Sequence, residues 1–198
     1  TIREYIRNFI MSKLETNTID TVSGTSNLTI GSSNASTITL KSGATLTNFP
    51  TNTPAFKAFR NGSQTIADVT STVIQYNGES FDTDNAYNTS TYKFTVPSGK
   101  AGRYLFSAHA YIFQSGATLY SCDFQIRLNG ANQSFDQLGL DSSDNYAYVP
   151  KSTTILNLSV GDYVDVAITG NTNDGASFTV FGNSPYNYSV FQGYKLIG

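Results

Sequence analysis

The stretch Tyr92-Lys-Phe-Thr-Val-Pro97, followed past a Ser98-Gly99 turn by Gly102-Arg-Tyr-Leu-Phe-Ser-Ala-His109, decides how this chain folds. Beyond Gly102 the alternation is strict. Tyr104, Phe106, Ala108, Ala110 and Ile112 fall on one face of an extended segment; Leu105, Ser107, His109, Tyr111 and Phe113 fall on the other. Both faces are largely apolar, which predicts a central strand from Gly102 to Phe113. One of its faces belongs in a sandwich and the other in a subunit contact. Gly102 suits the tight turn needed after a proline-bearing strand.

The pattern extends outward in both directions. Further strands are expected at Ala55 to Asn61, Thr72 to Gln75, Lys93 to Val96, Tyr120 to Leu128 and Ser134 to Leu140. Others follow at Tyr146 to Leu158, Tyr163 to Ile168, Ser177 to Gly182 and Ser189 to Ile197. Turn residues separate them: Asn61-Gly62, Asn77-Gly78, Asn129-Gly130, Gly161-Asp162 and Asp174-Gly175. About ten strands with no helix signal in one segment predict an all-β sandwich or jelly roll over residues 54–198.

Several of these pieces resemble the globular head domain of the first complement component, a jelly roll shared with tumour necrosis factor. The family writes a Phe-Thr-x-Pro strand, a Gly-x-Tyr strand start and then aromatic-x-x-His, as in Phe94 to Pro97, Gly102 to Tyr104 and Phe106 to His109. Ala55-Phe-Lys-Ala-Phe59 is similar to its opening strand, Leu158-Ser-Val-Gly-Asp162 to the turn before a valine-rich strand, and Ser189-Val-Phe-Gln-Gly193 to its closing strand. The resemblance implies a trimeric jelly roll with Phe94, Pro97, Gly102, Tyr104, Phe106, His109, Phe191 and Gly193 as structural core. It also implies a homotrimer, and in some members calcium. Asp141-Ser-Ser-Asp144 offers oxygen ligands for that ion, but lacks the spacing of a dedicated calcium loop and reads rather as a solvated turn. No other cofactor is expected.

Upstream the chain reads differently. In residues 1–16, Ile2, Tyr5, Ile6, Phe9 and Ile10 have helical spacing, either a short attachment helix or an extension without function. In residues 17–53, Leu28/Ile30, Ile38/Leu40 and Ala44/Leu46 alternate with threonine between Ser, Asn and Gly spacers. Such short strands bury too little to fold alone, so they form a fibrous stalk with a core shared between copies, or else a flexible linker. Pro50 and Pro54 mark the hinge into the head.

Composition narrows the function. Charged residues are only 13% of the chain and the net charge is -2, with no Lys/Arg cluster, so a phosphate-binding surface for nucleic acid is not expected. No apolar run is long enough for a membrane helix, so no membrane insertion is expected, and no signal peptide is evident. The single Cys122 cannot close an intrachain disulfide and reads as a small buried hydrophobe. His109, the only histidine, reads as structural rather than as a general base, and no catalytic residues are assigned.

The 13 Tyr and 13 Phe, set among Asn and Ser, are the material of a contact surface. Tyr87, Tyr146, Tyr148, Tyr186 and Tyr188 fall in expected loops. Tyr146, Tyr148, Tyr186 and Tyr188 are the candidate glycan or receptor contacts, the other reading being that these rings cover a trimer interface. The Ser/Thr-repeat opening resembles structural proteins of tailed bacteriophages. The expected function is therefore a virion surface protein, a trimeric fibre or head decoration that joins other virion proteins through residues 1–50 and exposes its head for host attachment. The alternative is a secreted complement-like ligand or carbohydrate-binding module.

Overall fold

A computed structural model describes residue 42 and residues 52–113, 119–139, 147–184 and 186–197. The chain divides into two units, up to Thr47 and from Asn48 onward, and the described strands all lie in the second. The expected N-terminal helix, the stalk, Asp141 to Asp144 and Tyr146 lie outside the described residues.

Among the described residues there is no helix, and every strand pairing is antiparallel. The strands are β1 (Ala55–Phe59), β2 (Gln64–Ile66), β3 (Thr72–Val73), β4 (Gly78–Asp82), β5 (Tyr87–Asn88), β6 (Lys93–Thr95), β7 (Gly102–His109) and β8 (Tyr111–Phe113). They continue with β9 (Leu119–Leu128), β10 (Ala131–Gly139), β11 (Ala147–Tyr148), β12 (Lys151–Leu158), β13 (Tyr163–Thr172), β14 (Phe178–Phe181) and β15 (Val190–Lys195). The first sheet has the order β12-β7-β15-β1-β4 and the second β10-β9-β13-β6-β5, with β3 on β13. A small third sheet runs β11-β8-β14-β2.

From β6 onward the long strands alternate between the two large sheets: β6 in the second, β7 in the first, β9 and β10 in the second, then β12, β13 and β15 in turn. With β1 in the first sheet, these make eight main strands in the crossing order of a jelly roll, as the sequence predicts. The expected Asn129-Gly130 turn is a two-residue hairpin joining Leu128 to Ala131. Both turn residues have positive φ, 50° and 83°, the conformation that favours Asn-Gly.

An aromatic cluster fills the space between the sheets. Phe56 stacks on Tyr87 at 5.0 Å and on Phe94 at 5.1 Å, and meets Phe191 edge-on at 5.0 Å. Phe106 touches Phe94 at 5.4 Å and Phe191 at 6.0 Å. The residues that carry the family resemblance thus meet in one place: Phe94, Tyr104, Phe106 and Phe191 are all buried. Gly193 is buried because a side chain there would run into the Phe106 ring.

Several expectations need correction. Gly102 to Phe113 is two strands, interrupted at Ala110: its N–H reaches the Pro150 carbonyl in register with the β7–β12 pairing, but proline has no N–H to return. Tyr146 to Leu158 is likewise interrupted at Val149-Pro150, where proline cannot donate. β2, β4 and β5 were not anticipated; each is short and none shows clean alternation of apolar residues. Pro97, Gly102 and His109 are half-buried rather than core, with His109 on the outward face of β7. That outward face is mixed, not largely buried. Tyr87 is no loop contact: its ring is buried and its hydroxyl donates to the Tyr76 carbonyl at 2.9 Å.

Candidate association and contact surface

The outward face of the first sheet follows from register. Ile155, Leu105, Tyr194 and Ala55 align across β12, β7, β15 and β1. The next outward row is Thr153, Ser107, Gln192, Lys57 and Phe81, and the next Lys151, His109, Val190 and Phe59. The first row is apolar and unshielded: Ile155 is 59% exposed, and Tyr194 38%, with Phe81 49% exposed beside it. A shallow hollow of about 360 Å³ lies among Ala55, Phe81, Leu105, Gln192 and Tyr194.

The same face continues past the break at Ala110, since the alternation does not slip. Ser189 makes this continuation possible. Its buried hydroxyl donates to the Phe181 carbonyl at 2.7 Å and accepts from the Tyr111 N–H at 2.9 Å, clamping β8 and β14 together. Phe181 is then the register partner of Tyr111, and Thr179 of Phe113. The loop before β15 lays Tyr188 on this pair, at 5.4 Å from both the Tyr111 and Phe181 rings, with Tyr186 5.8 Å from Tyr188. A groove of about 230 Å³ opens among Tyr111, Phe113, Phe181 and Tyr188, with no charged group among the described residues that line it.

Of the candidate contacts, Tyr186 and Tyr188 are therefore brought together on an exposed surface. Tyr148 is not with them. It pairs with buried Ile112 in β8 and packs against the core, so it belongs to the interior. Sequence reading missed Tyr111, Phe181, Phe81, Ile155 and Tyr194. The strand alternation placed Tyr111 on the outward face, but nothing local pairs it with Phe181.

Between the apolar row and the aromatic groove lie two lysines, Lys57 and Lys151, with His109 beside them. Burial lowers the His109 pKa from its ordinary value. Lys151 and Lys57 lower it further, while a hydrogen bond with the Asn187 backbone acts the other way. The ring thus favours its neutral form. Cys122 is fully buried and burial pushes its thiol up to about 12, next to the negative charges of Asp123 and Asp136. Among the described residues no group of three His, Cys, Asp or Glu side chains is placed to hold a metal.

No family model matches the chain, and no curated protein matches it. Among solved structures, the globular domain of zebrafish complement 1qA protein is similar over 72% of this chain and 97% of its own, at 19% identity and a TM-score of 0.49.

Proposed function

We propose that this chain is a non-enzymatic virion structural protein, a homotrimer whose jelly-roll head is displayed on a fibre or on the capsid for attachment to a host surface. The observation that carries the assembly is the outward face of the first sheet. It holds an apolar row, Ile155, Leu105 and Tyr194 with Phe81 beside it, aligned across neighbouring strands and open to solvent in the single chain. Each such side chain removed from water contributes on the order of 1 kcal/mol, and a self-associating copy is the partner always at hand. The cyclic arrangement closes on itself rather than growing into a filament.

Host attachment is supported by the exposed Tyr186 and Tyr188, and placement on a virion by the repetitive Ser/Thr opening of the chain. A secreted ligand with the same head is the competing reading. Antibodies against the head, applied to purified particles and to particle-free culture medium, separate the two. Labelling of particles supports the virion role; antigen found only in the medium overturns it in favour of the secreted ligand.

A further inference from the structure

Asparagine is followed by glycine at Asn61, Asn77 and Asn129, and the fold treats the three pairs differently. Asn129 is clamped. Its Nδ2 donates to Asp162 Oδ1 at 2.9 Å, its Oδ1 accepts from the Tyr163 N–H at 3.0 Å, and its own N–H donates to the Tyr163 carbonyl at 2.9 Å. Asn77 is held by its Oδ1, which accepts from the Asn61 N–H at 2.8 Å. Gly78 after it lies in β4 opposite Phe59 and packs directly against that ring. The third pair has neither restraint. Asn61 and Gly62 are exposed beyond the end of β1, Gly62 has φ of 77°, and nothing stands within 4 Å of where a Gly62 side chain would begin. Among the described residues, neither the Asn61 carboxamide nor the Gly62 N–H has a hydrogen-bond partner.

We propose that Asn61 is a site of spontaneous covalent modification, where the carboxamide becomes a carboxylate while Asn77 and Asn129 are protected by the fold. The Gly62 main-chain nitrogen attacks Asn61 Cγ. The N–Cγ bond forms as that nitrogen gives its proton to solvent, and the Cγ–Nδ2 bond breaks as Nδ2 takes a proton and leaves as ammonia. Water then opens the five-membered imide at either carbonyl, leaving aspartate or isoaspartate, and nothing is oxidised or reduced. Glycine favours the attack because no Cβ crowds its nitrogen and its main chain turns freely into the ring. The other two pairs must open locally before they can follow the same course. For Asn129, opening gives up two side-chain hydrogen bonds, one of them to a carboxylate, and this slows conversion at least about tenfold.

The test is prolonged incubation of the full chain at mildly alkaline pH, with and without urea, followed by peptide mapping by mass spectrometry and isoaspartate detection. In urea the three pairs should convert at similar rates, since each is the same dipeptide. In the native protein Asn61 should convert first, Asn77 more slowly, and Asn129 at least about tenfold more slowly than Asn61. Conversion of Asn77 or Asn129 as fast as Asn61 in the native protein, or conversion of Asn61 confined to the urea samples, overturns the proposal.

Discussion

Replacing Gly193 by alanine adds one methyl group at the centre of β15, and the structure says what that methyl meets. It would stand 2.5 Å from Phe106 Cδ1, 2.9 Å from Cε1 and 3.0 Å from the Leu105 carbonyl oxygen. The carbonyl is backbone of the adjacent strand and cannot turn away. The Phe106 ring cannot swing far either, because Phe94, Tyr104 and Phe191 rings surround it at 5.4 to 6.0 Å. Overpacking of this kind costs about 1–3 kcal/mol, and the reduced freedom of the unfolded chain returns about 0.5 kcal/mol, leaving a net loss of about 1.5 kcal/mol. For a chain of this size that lowers the melting temperature by roughly 3–6 °C. Gly139→Ala is the matched control. It too lies in a strand, without positive φ, and nothing stands within 4 Å of its added Cβ, so its stability should stay within about 0.5 kcal/mol of wild type. Urea denaturation at one fixed protein concentration measures both, since the proposed self-association would make stability depend on concentration. Trimming the ring in the Gly193→Ala/Phe106→Leu double variant should recover part of the loss through coupling of the two sites. If Gly193→Ala matches wild type, the packing of β15 against β7 described above is wrong.

Other consequences are as direct. Asp165 is almost fully buried and takes a two-pronged contact from Arg127, at 2.7 and 3.0 Å; Arg127→Met should cost about 3–5 kcal/mol in the same denaturation assay by stranding that carboxylate. His109 has a native pKa below its unfolded one, so its neutral form is the one that suits the fold. Its contribution is complete above the ordinary histidine range and declines as pH falls through that range towards the depressed native value. Wild type should therefore lose more stability than His109→Asn between neutral and mildly acidic pH, and equal losses would show that the ring is not held neutral. The Cys122 thiol should resist a thiol-reactive dye in the native state and react promptly in denaturant, because burial disfavours the thiolate.

How far sequence reading reached depended on the length of the pattern. The alternation from Tyr104 to Ile112 grouped on one face the residues that prove buried in β7, β8 and the break between them, because consecutive side chains repeat with a period of two, but it did not say which face turns inward. Phe94, Phe106 and Phe191 could be assigned to one core only through the resemblance of their surrounding motifs. Strands of two residues have no period to read. Tyr87 in β5 and Tyr148 in β11 therefore looked like loop tyrosines, although each packs inward. The break at Pro150 was visible in the sequence, since proline removes a donor; the break at Ala110 was not, since it depends on Pro150 lying opposite it across the β7–β12 register. The surface cluster was half visible. Tyr186 and Tyr188 stood out as neighbours in an Asn/Ser-rich loop, whereas Tyr111 and Phe181 join them only through the β8–β14 register.

The proposed assembly makes one demand above all: the exposed face of the first sheet is where further copies of the chain would meet. Light scattering on the intact protein, on a form beginning at Thr53, and on Leu105→Asp measures this directly. The intact chain and the shortened form should both have three times the single-chain mass, which is 21.5 kDa for the full sequence. Leu105→Asp, carrying a charge in the apolar row, should have the mass of one chain while keeping its β circular dichroism. A single-chain mass for the intact protein, or a trimer that Leu105→Asp leaves undisturbed, would contradict assembly through this face.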